Sequence, residues 1–134
     1  MLKFLLFIWQ LPQNLIGLFI LLIHNRDRID GERYVKGKRV RFWYVDHFFR
    51  SGISLGNFIF LDKIYLGMTS VQKDIQHEHG HSIQSKYLGP LYLLIIGLPS
   101  LVGNIISRIF LLDSRWYYNQ PWEKWADELG GVIR

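Results

Sequence analysis

Residues 77–81 read His77-Glu78-His79-Gly80-His81, the pattern HExxH. On a helix, residues four apart lie about 40° apart around the axis, so His77 and His81 can grip one metal ion from one face. Glu78 lies about 100° from His77, beside such an ion rather than on it, where a general base for activated water must sit. Neutral imidazoles leave a zinc ion its double positive charge and so lower the pKa of bound water towards about 7. A chance HExxH arises in about one in two hundred shuffles of this composition, so the bland reading, a polar helix face with solvated histidines, stays in play. A strand is the other alternative, with His77, His79 and His81 all on one face. The apolar set Val71, Ile75, Ile83 and Tyr87 recurs at roughly helical spacing and favours a helix starting near Val71.

Catalytic zinc sites usually have three protein ligands and one open position. The chain has no cysteine, so the third ligand must be an acid or a histidine. Glu123 and Asp127 in Trp122-Glu123-Lys124-Trp125-Ala126-Asp127 are four apart and share one face of a C-terminal helix. Glu123 can ligate while Asp127 accepts the free N–H of a ligating histidine. A solvated surface helix is the bland reading of that pair.

HExxH followed by Glu-x-x-x-Asp resembles the gluzincin branch of the zincin metallopeptidases. The resemblance covers only these two motifs. It implies zinc as cofactor, His77, His81 and Glu123 as ligands, Glu78 as base and Asp127 as the partner of His77. It also implies a peptide or protein substrate docked along an edge strand, for which Ile53 to Leu61 is the candidate. The stretch HEHGHSIQSKYLGPLYLLIIGLPSL…EKWADELGGV resembles small bacterial membrane-associated proteins and modules at the ends of some Rhs-type repeat proteins; that resemblance implies no activity. Forty-two positions separate His81 from Glu123, and a hydrophobic segment fills them. Tyr117, Tyr118 and His47 are candidates for stabilising an oxyanion.

The elements that must position these residues follow from an uneven composition. One domain is the natural count for 134 residues. The mean hydropathy of +0.08 hides the patterning. Met1 to Ile23 carries only Lys3, and Gly89 to Ser107 carries no charge, whereas His24 to Arg50 carries eight Lys or Arg against four acids. Soluble domains usually mix apolar and charged residues within each element. A lipid bilayer is therefore the expected partner of residues 1–23 and 89–112.

Residues 1–23 read as a retained, kinked or interfacial hydrophobic helix interrupted by Gln10, Pro12, Gln13 and Asn14, in preference to a cleaved signal or a buried core helix. The basic stretch after it suits the cytoplasmic side. With the second resemblance, that gives a bacterial inner membrane with the site facing the cytoplasm. Nucleic acid is not expected, because acids interleave the basic residues.

Arg33 to Val45 reads as two strands around Lys36-Gly37-Lys38, and Ile53 to Leu61 as another. Pro121 to Leu129 reads as the C-terminal helix, with Pro at its start and glycines after its end. As one straight helix, residues 89–112 would span about 36 Å and hold His81 and Glu123 apart. Zinc bonds are about 2 Å, so a shared ion requires this segment to turn back, and Gly97 to Ser100 is where the sequence offers a break. The expectation is an α+β, minimal zincin-like domain. It has a small antiparallel sheet, an active-site helix, a hydrophobic hairpin and a C-terminal ligand helix. Its expected role is a membrane-associated zinc metallopeptidase. The alternatives are a non-catalytic zinc-stabilised interaction module or an effector domain of a larger protein.

Overall fold

β-Branched and aromatic residues alternate with charged ones from Arg33 to Val45, and this stretch forms a hairpin. β1 (Ile29–Val35) pairs antiparallel with β2 (Lys38–Val45). Lys36 and Gly37, at φ of 51° and 76°, make the two-residue turn that suits the strand twist. The computed structural model of the chain describes residues 2–46 and 52–134.

The next apolar stretch, expected as one strand, is a second hairpin. β3 (Gly52–Leu55) and β4 (Phe58–Asp62) pair antiparallel. Gly56, at φ +65°, turns the chain, and the Asn57 N–H donates to Asn14 Oδ1 at 2.7 Å. The sheet order is β1-β2-β4-β3. β4 joins β2 in parallel, so the sheet is mixed where an antiparallel one was expected. Sequence patterning does not distinguish the two, because β4 is apolar on both faces.

The sheet packs on two sides. Val40, Phe42, Ile59 and Leu61 meet Val71 and Ile75 of α3 (Val71–Leu88) on one face. Val45, Leu55 and Phe60 meet Ile20, Leu21 and Leu93 on the other. The fold is α+β.

The N-terminal segment is two helices, α1 (Leu2–Trp9) and α2 (Leu11–Ile23), bent by 90° at Gln10. The polar interruption explains the bend. Gln10, Gln13 and Asn14 are fully buried. Gln13 Nε2 donates to Ser85 Oγ and to the Gly89 carbonyl, both at 2.8 Å, and Ser85 Oγ donates to Gln10 Oε1 at 2.6 Å. Trp9 Nε1 donates to the Lys86 carbonyl at 3.0 Å. Trp9, Gln10 and Gln13 therefore contact the end of α3, and Asn14 contacts the turn between β3 and β4. Replacing Gln13 with Ala leaves Ser85 Oγ and the Gly89 carbonyl short of a donor in a buried place. The expected cost is about 1–3 kcal/mol of unfolding free energy, read as a lower denaturation midpoint.

The expected hairpin within residues 89–112 does not form: Leu93–Ile109 runs on as one helical stretch, and the chain reverses at the entry to it. Val71–Leu91 and Leu93–Ile109 meet at 119°, so the reversal lies at Gly89 to Tyr92 and not at Gly97 to Ser100. Gly89 holds φ +56°, and a Cβ there would lie 2.1 Å from the Trp9 ring. Residues Leu93–Gly97 form a π-helical turn that runs directly into α4 (Leu98–Ile109), with Pro99 in its first turn. The Leu98 N–H bonds the Leu93 carbonyl, five residues back, and this widened turn admits a proline that would break a regular helix interior.

α5 (Ser114–Tyr118) and α6 (Pro121–Gly130) complete the chain. Among the described residues, no single helix is long and apolar enough to cross a membrane. The outer faces of α1, α2 and 91–112 are nonetheless strongly apolar: Phe4, Phe19, Leu94 and Ile109 are each 63–68% exposed.

Candidate metal centre

HExxH lies inside α3, which excludes the strand alternative. Val71 and Ile75 bury one face of the helix against the sheet, and His77 and His81 point to α6. α6 starts at Pro121, whose ring suits a first helical turn, and ends at Gly131 with φ +76°.

The structure brings His77, His81 and Glu123 together, all three buried, and the group could hold a metal ion. His77 Nε2 and His81 Nε2 each lie 3.0 Å from Glu123 Oε2 and 3.1 Å from each other. The other ring nitrogens decide what these atoms are. His77 Nδ1 donates to Asp127 Oδ1 at 2.7 Å, and His81 Nδ1 donates to Gln84 Oε1 at 2.7 Å. With Nδ1 protonated, each neutral ring presents a lone pair at Nε2. Two nitrogen lone pairs and a carboxylate oxygen then face one another, an arrangement that a metal ion would satisfy. Tetrahedral ligands with bonds of 2.0–2.1 Å to zinc are about 3.3 Å apart, so the observed triangle fits zinc within a few tenths of an ångström.

Electrostatics point the same way. Burial lowers the His77 pKa, but the hydrogen bonds to Asp127 and Glu123 outweigh it and push the ring up to about 9. Burial raises Glu123, yet the hydrogen bonds from His77 and His81 hold its carboxyl well below the usual range. A proton on His77 thus partly does the work of a cation. Because the folded value lies above the ordinary 6.5, the stability from this proton is fully present below pH 6.5 and is lost as pH rises through about 9. A metal must displace that proton. Metal affinity is therefore expected to rise about tenfold per pH unit between pH 7 and 8, with about one proton released, measured by calorimetry in buffers of different ionisation enthalpy. An affinity independent of pH over that window counts against this assignment.

Glu78 is buried beside the triangle and is not one of its corners. Its Oε2 has no hydrogen-bond partner among the described residues. Burial pushes its carboxyl above the ordinary range, with His81 and His77 pulling the other way. Gly52 of β3 presses on it: a Cβ there would lie 3.0 Å from Glu78 Oε1. His79 points elsewhere, its Nδ1 3.3 Å from Ser82 Oγ, and burial depresses its pKa to about 4.

Of the oxyanion candidates, Tyr117 and Tyr118 line a polar pocket of about 200 Å³ with His77 and Glu78. The Tyr118 ring meets His77 edge-on at 5.1 Å, and the Tyr117 hydroxyl shares a hydrogen bond with Ser100 at 2.8 Å. His47 lies outside the described residues.

Two supporting residues escaped the sequence reading. Gln84 holds His81 and also donates to the Trp122 carbonyl of α6 at 2.9 Å. Its place three residues after His81 on the same face was the available signal. Arg134 donates to both Asp127 carboxylate oxygens, at 2.7 and 3.2 Å, and stacks 3.4 Å above Tyr118. Nothing in the sequence singles it out. Neither protein-family models, curated proteins nor solved structures contain a match to this chain.

Proposed function

We propose that this chain is a membrane-associated zinc-dependent hydrolase, a metallopeptidase of gluzincin type. The observation that carries the reading is the buried His77–His81–Glu123 triangle with an unpartnered Glu78 oxygen beside it. His77 Nε2, His81 Nε2 and Glu123 Oε2 would hold the zinc. Bound there, zinc supplies a Lewis acid that polarises a carbonyl and brings the ionisation of water towards about pH 7.

The remaining work belongs to the chain. Glu78 takes the proton of the attacking water at its carboxylate and passes it to the leaving amine nitrogen, and a base with a raised pKa suits both steps. Asp127 and Gln84 keep Nδ1 of the two rings protonated and their Nε2 atoms aimed at one point. β3 is the edge strand beside Glu78, which supports docking of an extended substrate. The exposed apolar faces of α1, α2 and residues 91–112, with the basic 24–50 stretch, support placement at a bilayer facing the cytoplasm.

Purified protein is expected to carry one zinc per chain by elemental analysis. It should cleave members of a broad peptide library, with cleavage abolished by 1,10-phenanthroline and restored by added zinc. Bound zinc with no cleavage across the library would favour the non-catalytic interaction module instead.

A further inference from the structure

A groove of about 620 Å³ is lined by residues of α2, β3 and α4 and also by Glu78 and His81. That volume lies within the roughly 300–1,000 Å³ typical of ligand sites. Its walls are mostly apolar, from Ile16 and Ile20 of α2 to Leu101 and Ile105 of α4. Ile16, Leu101 and Ile105 are also 43–57% exposed, so the groove opens on the apolar outer surface of the molecule.

Polar residues also line it: Glu78, His81, Ser100, Asn104 and Arg108, beside Ser54 of β3. Ser54 Oγ and Glu78 Oε2 are buried and have no hydrogen-bond partner among the described residues. A buried unpaired polar atom costs about 1–3 kcal/mol, so an occupant that pairs with it is favoured over one that cannot. An acyl chain offers no donor along its length, whereas a polypeptide offers an N–H at nearly every residue. The Ser54 carbonyl already accepts from the Tyr92 hydroxyl at 3.0 Å. The hydroxyl is the Ser54 side-chain group left to pair with an incoming main chain.

We propose that this groove takes an apolar polypeptide segment drawn from a bilayer and leads its backbone to Glu78, so that the substrates are hydrophobic, membrane-embedded peptides. The inference rests on the proposed function twice, on the bilayer placement for the source of the segment and on the hydrolase reading for its last step. Apolar side chains of the segment replace lipid contacts with those of Ile20 and Leu101, and its amides satisfy Ser54.

The test is binding, measured on the full metal-free chain in nanodiscs so that no cleavage occurs. The probe is a fluorescein-labelled 12-residue Leu/Ala peptide, followed by anisotropy. Leu101→Trp and, on the opposite wall, Ile16→Trp should each weaken binding at least about tenfold, and Ser54→Ala about fivefold. Unchanged melting temperatures show that the variants fold, and the two walls give independent readings. Equal binding of a Ser/Lys peptide of the same length, equal displacement by dodecanoate, or indifference to both Trp variants would each overturn the proposal. Zinc content is measured separately. Groove-dependent binding by a chain that takes up no zinc sustains this inference while removing the metallopeptidase reading. Zinc-dependent cleavage of polar peptides alone does the reverse.

Discussion

Glu78→Gln is expected to keep zinc at wild-type stoichiometry while peptide hydrolysis falls about 10²–10⁴-fold. The corners of the metal triangle are His77, His81 and Glu123, so the substitution removes no ligand. Glutamine has nearly the same shape and fits the space left by Gly52, whose own Cβ position lies 3.0 Å from Glu78 Oε1. What it cannot do is accept a proton from water. The loss should therefore appear in kcat, with zinc content by elemental analysis unchanged. Retained turnover would remove Glu78 as the base. Zinc lost together with activity would make Glu78 a ligand.

Gly80→Ala is expected to damage fold and site together. A Cβ at Gly80 would lie 1.8 Å from the Ala126 carbonyl oxygen and 2.6 Å from its carbon. Both are backbone atoms of α6, so no side chain can rotate out of the way. Relief requires α3 and α6 to part by about 1 Å or more. Overpacking of this kind costs about 1–3 kcal/mol or more. The histidines ride on α3 and Glu123 on α6, so the same separation opens the triangle, and zinc affinity should fall by at least about tenfold. Gly130 offers a second reading of the same crossing, since its Cβ would lie 1.8 Å from the Gln76 carbonyl oxygen. A Gly80→Ala protein with wild-type melting and zinc affinity would show that the crossing does not hold the site.

Residues four apart on one helix were legible in the sequence, because their relation is local: His77 with His81, and Glu123 with Asp127. That the two pairs meet depends on Gly80 and Gly130, and Gly80 sits at a position where the motif places no demand. The reversal at Gly89 was equally hidden. It rests on a Trp9 ring eighty residues earlier in the chain, whereas Gly97 and Pro99 offered a stronger local signal that a π-turn absorbs. Gln10, Gln13 and Asn14 looked like a flaw in a hydrophobic segment. Their meaning appears only once Ser85 and Asn57 are beside them. The break at Gly56 was readable in principle, since Gly-Asn between apolar runs is a hairpin signal.

The backbone contacts at Gly80 and Gly130 also bear on which ions the triangle admits. The two 3.0 Å edges to Glu123 cross from α3 to α6 and depend on where the helices touch, while the 3.1 Å edge joins two turns of α3. Such a frame selects by the kind of donor atom it presents. Calcium takes six to eight oxygen ligands, whereas this triangle offers two imidazole nitrogens and one carboxylate oxygen. Small divalent ions of the first transition row match the edges with little movement, and within that row the choice falls to affinity order and supply rather than to geometry.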